Sequence, residues 1–254
     1  MISQALAASC GYGELLVVAR PRVAILTTGD ELVSADRDPE PGQIRNSNGP
    51  MLEALVAEAG GEPELLPAVP DTAEALDAAL AASARADLLL LSGGVSAGRF
   101  DLVEPALARR GARFFFTGVR MQPGKPLVFG EVPLRGGAAL PFFGLPGNPI
   151  SSAATFLLFA AQLVAALAGA RETGPRFLAA RLLEPAGGGT KPGLARFLPA
   201  HCRFEAAGGV PEVETVAWQG SGDLPAFARA NCFVVVPEET GTLARGEMAR
   251  ILMI

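Results

Sequence analysis

Over the first two-thirds of the chain, short apolar runs alternate with segments whose apolar residues recur every three or four positions. "RVAILTT" (Arg22 to Thr28), "EPELLPAV" (Glu62 to Val69) and "DLLLLS" (Asp87 to Ser92) have strand length and read as buried strands. "NGPMLEALVAEAGG" sets Met51, Leu52, Leu55, Val56 and Ala59 on one helical face and closes on Gly60 and Gly61. "DTAEALDAALAASA" carries a stripe of Ala75, Leu76, Ala79 and Leu80, with Thr72 placed to cap it. A further helix is expected over Phe100 to Gly111. Short strands are expected in "RFFFTGV", "PLVFGEV" and "ALPFFGL". An alanine-rich helix then starts at Pro149, with Asn148 as its cap and Gly169 at its end. Strands alternating with helices imply an α/β domain, a mostly parallel sheet with helices on both faces.

After Gly174 the pattern changes. "PRFLAARLL", "ARFLPAHCRFE", "PEVETVAW", "NCFVVVP" and "EMARILMI" are short strands punctuated by Pro and Gly, with one helical turn near Leu224 to Ala230. They predict a small all-β, barrel-like C-terminal domain. The organisation expected is a leading tail (residues 1–20), an α/β domain (21–170), a linker over Ala170 to Pro175, and a β domain (175–254).

Composition narrows the function classes. The net charge of −5 with no long basic run argues against a nucleic-acid partner. The three cysteines are scattered and lack C-x-x-C spacing, which suits reduced thiols in the cytoplasm rather than a disulfide framework or zinc site. The one histidine, His201, lies within an expected strand, so neither a His-rich metal site nor a Ser-His-Asp triad is indicated. No charge occurs from Gly136 to Ala170, and "ISSAATFLLFAAQLVAALAG" is long enough to span a bilayer. Its alanine content, Gln162 and the lack of flanking Lys or Arg clusters favour a buried helix and no membrane partner. No basic n-region precedes an apolar stretch at the N-terminus, so no signal peptide is expected.

The chemistry concentrates in loops at strand ends, where open α/β sheets bind ligands. The first strand ends in "TTGDEL", with Asp30 and Glu31. The third ends in "SGGVSAGRFD", with three glycines, two serines and Asp101. A later one leads to "MQPGKP", holding Lys125 between prolines, and the last to "LPGNPISS" at a helix start. Each stretch alone could be a plain turn. Glycines and serines at a helix N-terminus also offer free N–H groups and a positive dipole end to an anion. Carboxylates such as Glu31 and Asp101 help there only if a hard cation bridges them. Together the loops read as a site for a phosphate-bearing ligand with Mg²⁺, and Lys125 as a fixed positive charge.

"TGDEL", "SGGVSxGxxD", "PGKP" and "LPGNPxS", in this order, resemble the molybdopterin molybdenumtransferase family, which includes MoeA-type proteins and the C-terminal domain of gephyrin. "QGSGDLPAFARAN" (Gln219 to Asn231) is similar to a stretch of that family's small β domain. The resemblance covers nearly the whole chain, from about Pro21 to Ile254. It implies insertion of molybdenum from molybdate into adenylylated molybdopterin, with release of AMP, in the presence of Mg²⁺. It also implies that Asp30, Glu31 and Asp101 serve the metal and pterin-nucleotide site, with Asp71 at a further acidic position. Ser92, Gly93, Gly94 and Ser96 would cradle phosphate or oxyanion, and Lys125 would face molybdate or phosphate. Pro146 and Pro149 would shape the last loop, and Ser221 with an arginine of the β domain would help hold molybdate. Thr28, Gly29, Gly98, Gly147 and Asn148 complete the loop set.

Three departures stand out. Gln122 replaces a lysine before "PGKP". "GLARFLPA" replaces a pattern like "GRxEFxR", so Leu194 and Pro199 stand at arginine positions and Arg196 is left as a stand-in. The family has two further N-terminal subdomains, and "MISQALAASCGYGELLVV" resembles their tail. The expectation is a homodimer weakened by their lack and a molybdopterin adenylyltransferase as partner. The alternatives are a non-catalytic pterin-binding or scaffold module, or a molybdopterin adenylyltransferase on the same fold.

Overall fold

The computed structural model describes residues 2–70, 72–94, 103–134, 138–188, 193–204 and 208–254. Helix α1 (Ile2–Ser9) opens the chain and is followed by exposed, irregular backbone to residue 20. No capping or acidic residue marks the start of α1, so the sequence pattern assigned nothing there.

The α/β part follows the expected alternation: β1 (Arg22–Thr27), α2 (Asn48–Glu58), β2 (Glu62–Leu65), α3 (Ala73–Ala82), β3 (Leu88–Ser92), α4 (Val103–Arg109), β4 (Arg113–Phe116), β5 (Met121–Gln122), β6 (Val128–Pro133), β7 (Ala139–Leu145) and the long helix α5 (Pro149–Leu167). Six of these strands form one sheet in the order β2-β1-β3-β7-β6-β4. β2, β1, β3 and β7 run parallel, while β6 and β4 are antiparallel to their neighbours. Too few residues separate β6 from β7 for a crossover, and a short connection joins only antiparallel strands.

Both faces of the sheet are covered, which is why its central strands read as continuous apolar runs. Ala24, Leu26, Leu89, Leu91 and Phe142 pack against Leu76 and Leu80 of α3 and Leu107 of α4. Val23, Ile25, Leu88, Leu90 and Phe143 pack against Leu52 and Val56 of α2 and Phe156 and Val164 of α5. Thr72 caps α3, its hydroxyl accepting the Ala75 N–H at 3.2 Å. Helix α5 is long and apolar enough to cross a membrane by length and composition, but half of that window is buried inside the protein. It winds into a π-turn over Phe156–Ala160.

The second sheet holds β8 (Phe177–Leu182), β9 (Ala195–Arg203), β10 (Glu212–Thr215), β11 (Cys232–Val236) and β12 (Met248–Met253), with the short helix α6 (Leu224–Phe227) before β11. β9 pairs with both β11 and β10, and β8 with both β12 and β10, which closes a five-stranded barrel. Alternate residues Leu198, Ala200 and Cys202 of β9 point into its core with Val213, Val234 and Ile251. Burial there pushes the Cys232 thiol up to about 12. The opposite residues Phe197, Phe233 and Leu252 pack on Met121, Ile150 and Ala154, joining the barrel to the α/β part. β5 strengthens that joint by pairing in parallel with β9, Met121 opposite Ala195 and Gln122 opposite Arg196. The short run Met121–Gln122 had no strand signature in the sequence.

Candidate functional site

Three strand ends meet at the carboxyl edge of the first sheet. Thr27 pairs in register with Ser92, and Ser92 with Leu145, so "TTG", "SGG" and "LPGNP" leave the sheet side by side. Gly93 adopts φ of 101°, and a Cβ on it would lie 2.3 Å from the Thr28 carbonyl oxygen. Only glycine permits this approach of two loops.

Between these loops and the segment Arg45–Asn48 lies a cavity of about 640 Å³, whose walls include Thr28, Glu31, Ser92, Gly93, Gly94 and Asn48. Asn48, the first residue of α2, is buried and ties the loops together. Its Nδ2 donates to Ser92 Oγ at 2.9 Å and to the Gly147 carbonyl at 2.7 Å. Asn46 stands beside it. Its Nδ2 donates to Thr27 Oγ1 at 2.9 Å, and its Oδ1 accepts the Gly49 N–H at 3.0 Å, satisfying a donor of the first turn of α2. Sequence reasoning missed this pair; the signal was the run "NSN" before an apolar helix. Among the described residues, Thr28 Oγ1 and Asn48 Oδ1 are buried at this cavity without a hydrogen-bond partner.

Of the three expected metal carboxylates, Glu31 lines the cavity. Asp30 is exposed and lies outside the wall, and Asp101 lies outside the described residues, as do Asp71, Ser96 and Gly98. Gly29 is buried in the turn behind the wall, its N–H donating to the Val69 carbonyl at 3.2 Å. Among the described residues no three His, Cys, Asp or Glu side chains form a metal-holding group.

Lys125 reaches a second cavity, of about 790 Å³, together with Gln122, Pro146, Leu194, Trp218 and Ser221. The two cavities share Gly147 and Asn148, with Pro149 on the side of Glu31. Glu31 and Lys125 therefore line adjoining chambers divided by the "PGN" turn. Lys125 is the one charged residue in its cavity wall among those described, and Leu194 stands there at the position where the resemblance implied an arginine. Gly124 sets the lysine loop against α5: it has φ of 112°, and a Cβ would lie 2.6 Å from Thr155 Cγ2. Arg196, the expected stand-in for molybdate contact, lines neither chamber.

The α5 start also differs from expectation. Asn148 occupies the cap position but its side chain makes no capping bond. The Ile150 N–H instead donates to the Ser221 carbonyl at 3.0 Å, so one donor of this helix end is already satisfied by the barrel side. Asp223 holds the loop that presents Ser221, accepting the N–H groups of Gln219 and Ala226 at 3.0 Å each. These two backbone donors, Gln219 first, hold its carboxyl below the ordinary value.

With this geometry in view, comparison with known proteins is direct. Residues 24–166 match the family described as "Probable molybdopterin binding domain", and residues 189–254 match the "MoeA C-terminal region (domain IV)". The chain belongs to the molybdopterin-binding family. It is 35% identical over 248 residues to a molybdopterin molybdenumtransferase of Nostoc sp., covering 95% of this chain and 55% of the relative. The corresponding protein of Haemophilus influenzae is 33% identical over 255 residues, covering 98% and 60%. A molybdopterin biosynthesis MoeA protein from Pyrococcus horikosii superposes with a TM-score of 0.80 at 29% identity, covering 99% of this chain and 59% of that one. The chain thus spans between half and two-thirds of the length of these relatives.

Proposed function

We propose that this chain carries the pterin-nucleotide and molybdate sites of a molybdopterin molybdenumtransferase, inserting molybdenum from molybdate into adenylylated molybdopterin with release of AMP. The observation that carries this reading is the pair of chambers sharing Gly147 and Asn148. A nucleotide phosphate against Ser92, Gly93 and Gly94 would lie beside an oxyanion facing Lys125 and Ser221. Bringing two anionic reactants together is the main difficulty of such a transfer, and fixed donors and cations relieve it.

The donor set fits Mg²⁺ as a ligand-completed ion. Mg²⁺ is commonly held by one or two carboxylates with substrate phosphates and water, and Glu31 offers one carboxylate at a cavity with buried, unpartnered Thr28 Oγ1. When bound, the ion would neutralise phosphate charge. The protein's own groups do the rest. Asn48 fixes the spacing of the Ser92 and Gly147 loops, Lys125 supplies positive charge in the adjoining chamber, and the Ser221 carbonyl closes the α5 end. A homodimer, a molybdopterin adenylyltransferase supplying the nucleotide, and a cytoplasmic location belong to the same proposal.

Leu194 in the wall of the Lys125 chamber favours a second reading, a module that binds the pterin nucleotide without turnover. One assay separates the two: AMP release from adenylylated molybdopterin, with and without molybdate, beside direct binding of the nucleotide. Molybdate-dependent AMP release supports the transferase. Binding without release supports the module, and no binding removes both.

A further inference from the structure

A third cavity, of about 420 Å³, opens at one end of the barrel, walled by Gln122, Gly188, Arg196, Leu198, Thr215 and Trp218 among others. Barrel mouths are recurrent ligand sites. This one contains an unusual group. Arg196 is only 4% exposed, yet no ion pair joins it to a carboxylate among the described residues. It sits in the same alternation as the core-facing Leu198 and Ala200 of β9, opposite Val236 of β11, so its side chain lies over the end of the barrel core. The guanidinium donates to two neutral acceptors, the carbonyls of Gly188 at 3.4 Å and of Gly241. A guanidinium has five N–H donors. Two carbonyls take two of them, and the side chain lines the cavity with no carboxylate against its charge among the described residues. Burying a cation without a counter-charge is costly.

The surroundings favour an anion. Gln122 pairs in register with Arg196, which places its amide on the same face. Arg229 donates to the carbonyl of the wall residue Ala217 at 3.3 Å. Among the described residues, exposed Glu184 brings a carboxylate to the wall by accepting the Thr215 hydroxyl at 2.7 Å. Arg229 lies beside the Asp223 carboxylate and neither lines the cavity, so Arg196 is the one charged side chain among the described wall residues. We infer that the barrel mouth around Arg196 is a binding site for a tetrahedral oxyanion, distinct from the Lys125 chamber, with Gln122 and Trp218 the described residues that line both.

Trp218, the one tryptophan of the chain, reports on both cavities. The experiment titrates the full chain with sulfate, molybdate and AMP, following tryptophan fluorescence and the side-chain N–H resonance of Arg196. It compares wild type with Lys125→Ala and Arg196→Gln, each checked for cooperative unfolding. The expected result is an oxyanion response that survives Lys125→Ala and moves the Arg196 resonance. Arg196→Gln removes the charge that assists the hydrogen bonds to the anion, and should weaken that response about tenfold or more. A response to sulfate and molybdate as strong as to AMP identifies the free ion as ligand; a response to AMP alone identifies a phosphate ester. An Arg196 resonance that stays fixed in wild type at millimolar concentrations of all three overturns the inference, whether or not the glutamine variant folds. So does a response abolished by Lys125→Ala.

Discussion

Asn48 and Ser92 stand 44 positions apart, yet Asn48 Nδ2 donates to Ser92 Oγ at 2.9 Å inside the protein. The same Nδ2 reaches the Gly147 carbonyl, so one amide sets the spacing of two loops that wall the candidate nucleotide chamber. Asn48→Ala should leave Ser92 Oγ and the Gly147 carbonyl without that donor, at a cost of about 1–3 kcal/mol. Asn48→Asp should do no better, since a carboxylate cannot donate. Urea denaturation measures the loss, and nucleotide binding should weaken in both variants. A variant of wild-type stability and affinity would make the contact incidental.

Gly93→Ala should be poorly tolerated. The added Cβ meets backbone, the Thr28 carbonyl, at a φ that L-residues seldom adopt. Strain of this kind costs about 1–3 kcal/mol, and relief would come only by moving the loops apart. The expected outcome is a lower melting temperature together with weakened phosphate binding. Calorimetry on the same preparation reads both.

Lys125→Ala and Glu31→Gln should separate the two chambers. Both side chains are exposed, so neither change should move the melting temperature by much. Lys125→Ala should weaken oxyanion binding in its chamber, and added salt should weaken wild type in the same direction. Glu31→Gln should weaken nucleotide binding in the presence of Mg²⁺ and leave binding in EDTA unaltered. Titration with and without the ion tests this, and equal loss under both conditions would remove Glu31 from the metal.

Acid should loosen the Ser221 loop through Asp223. Its folded value lies below the ordinary 3.8 because Gln219 and Ala226 donate to the ionised carboxylate. The sign follows: the stabilising contribution is complete above 3.8 and is lost as pH falls through the lower folded value. The amide resonances of Gln219 and Ala226 should titrate together, with a midpoint below 3.8. In Asp223→Asn that titration should vanish at every pH.

Much of this protein was legible in one dimension. The two-sided burial of β1 and β3 shows as unbroken apolar runs, the stripes of α2 and α3 as helical spacing, and the barrel strands as short runs between Pro and Gly. The loops "TTGDEL", "SGG", "PGKP" and "LPGNP" announced themselves because glycine, proline and charge interrupt those runs where a parallel sheet presents its carboxyl ends. Periodicity, however, reports only which face of an element is buried. It says nothing of which distant side chain meets it. Tertiary packing alone placed Asn48 against Ser92 and Gly147, paired Met121–Gln122 with β9, and set the Ser221 carbonyl on the Ile150 N–H. It also put Glu31 and Lys125 in separate chambers and turned Arg196 into the barrel mouth, because strand register and loop approach are settled by long-range contacts that no local pattern encodes.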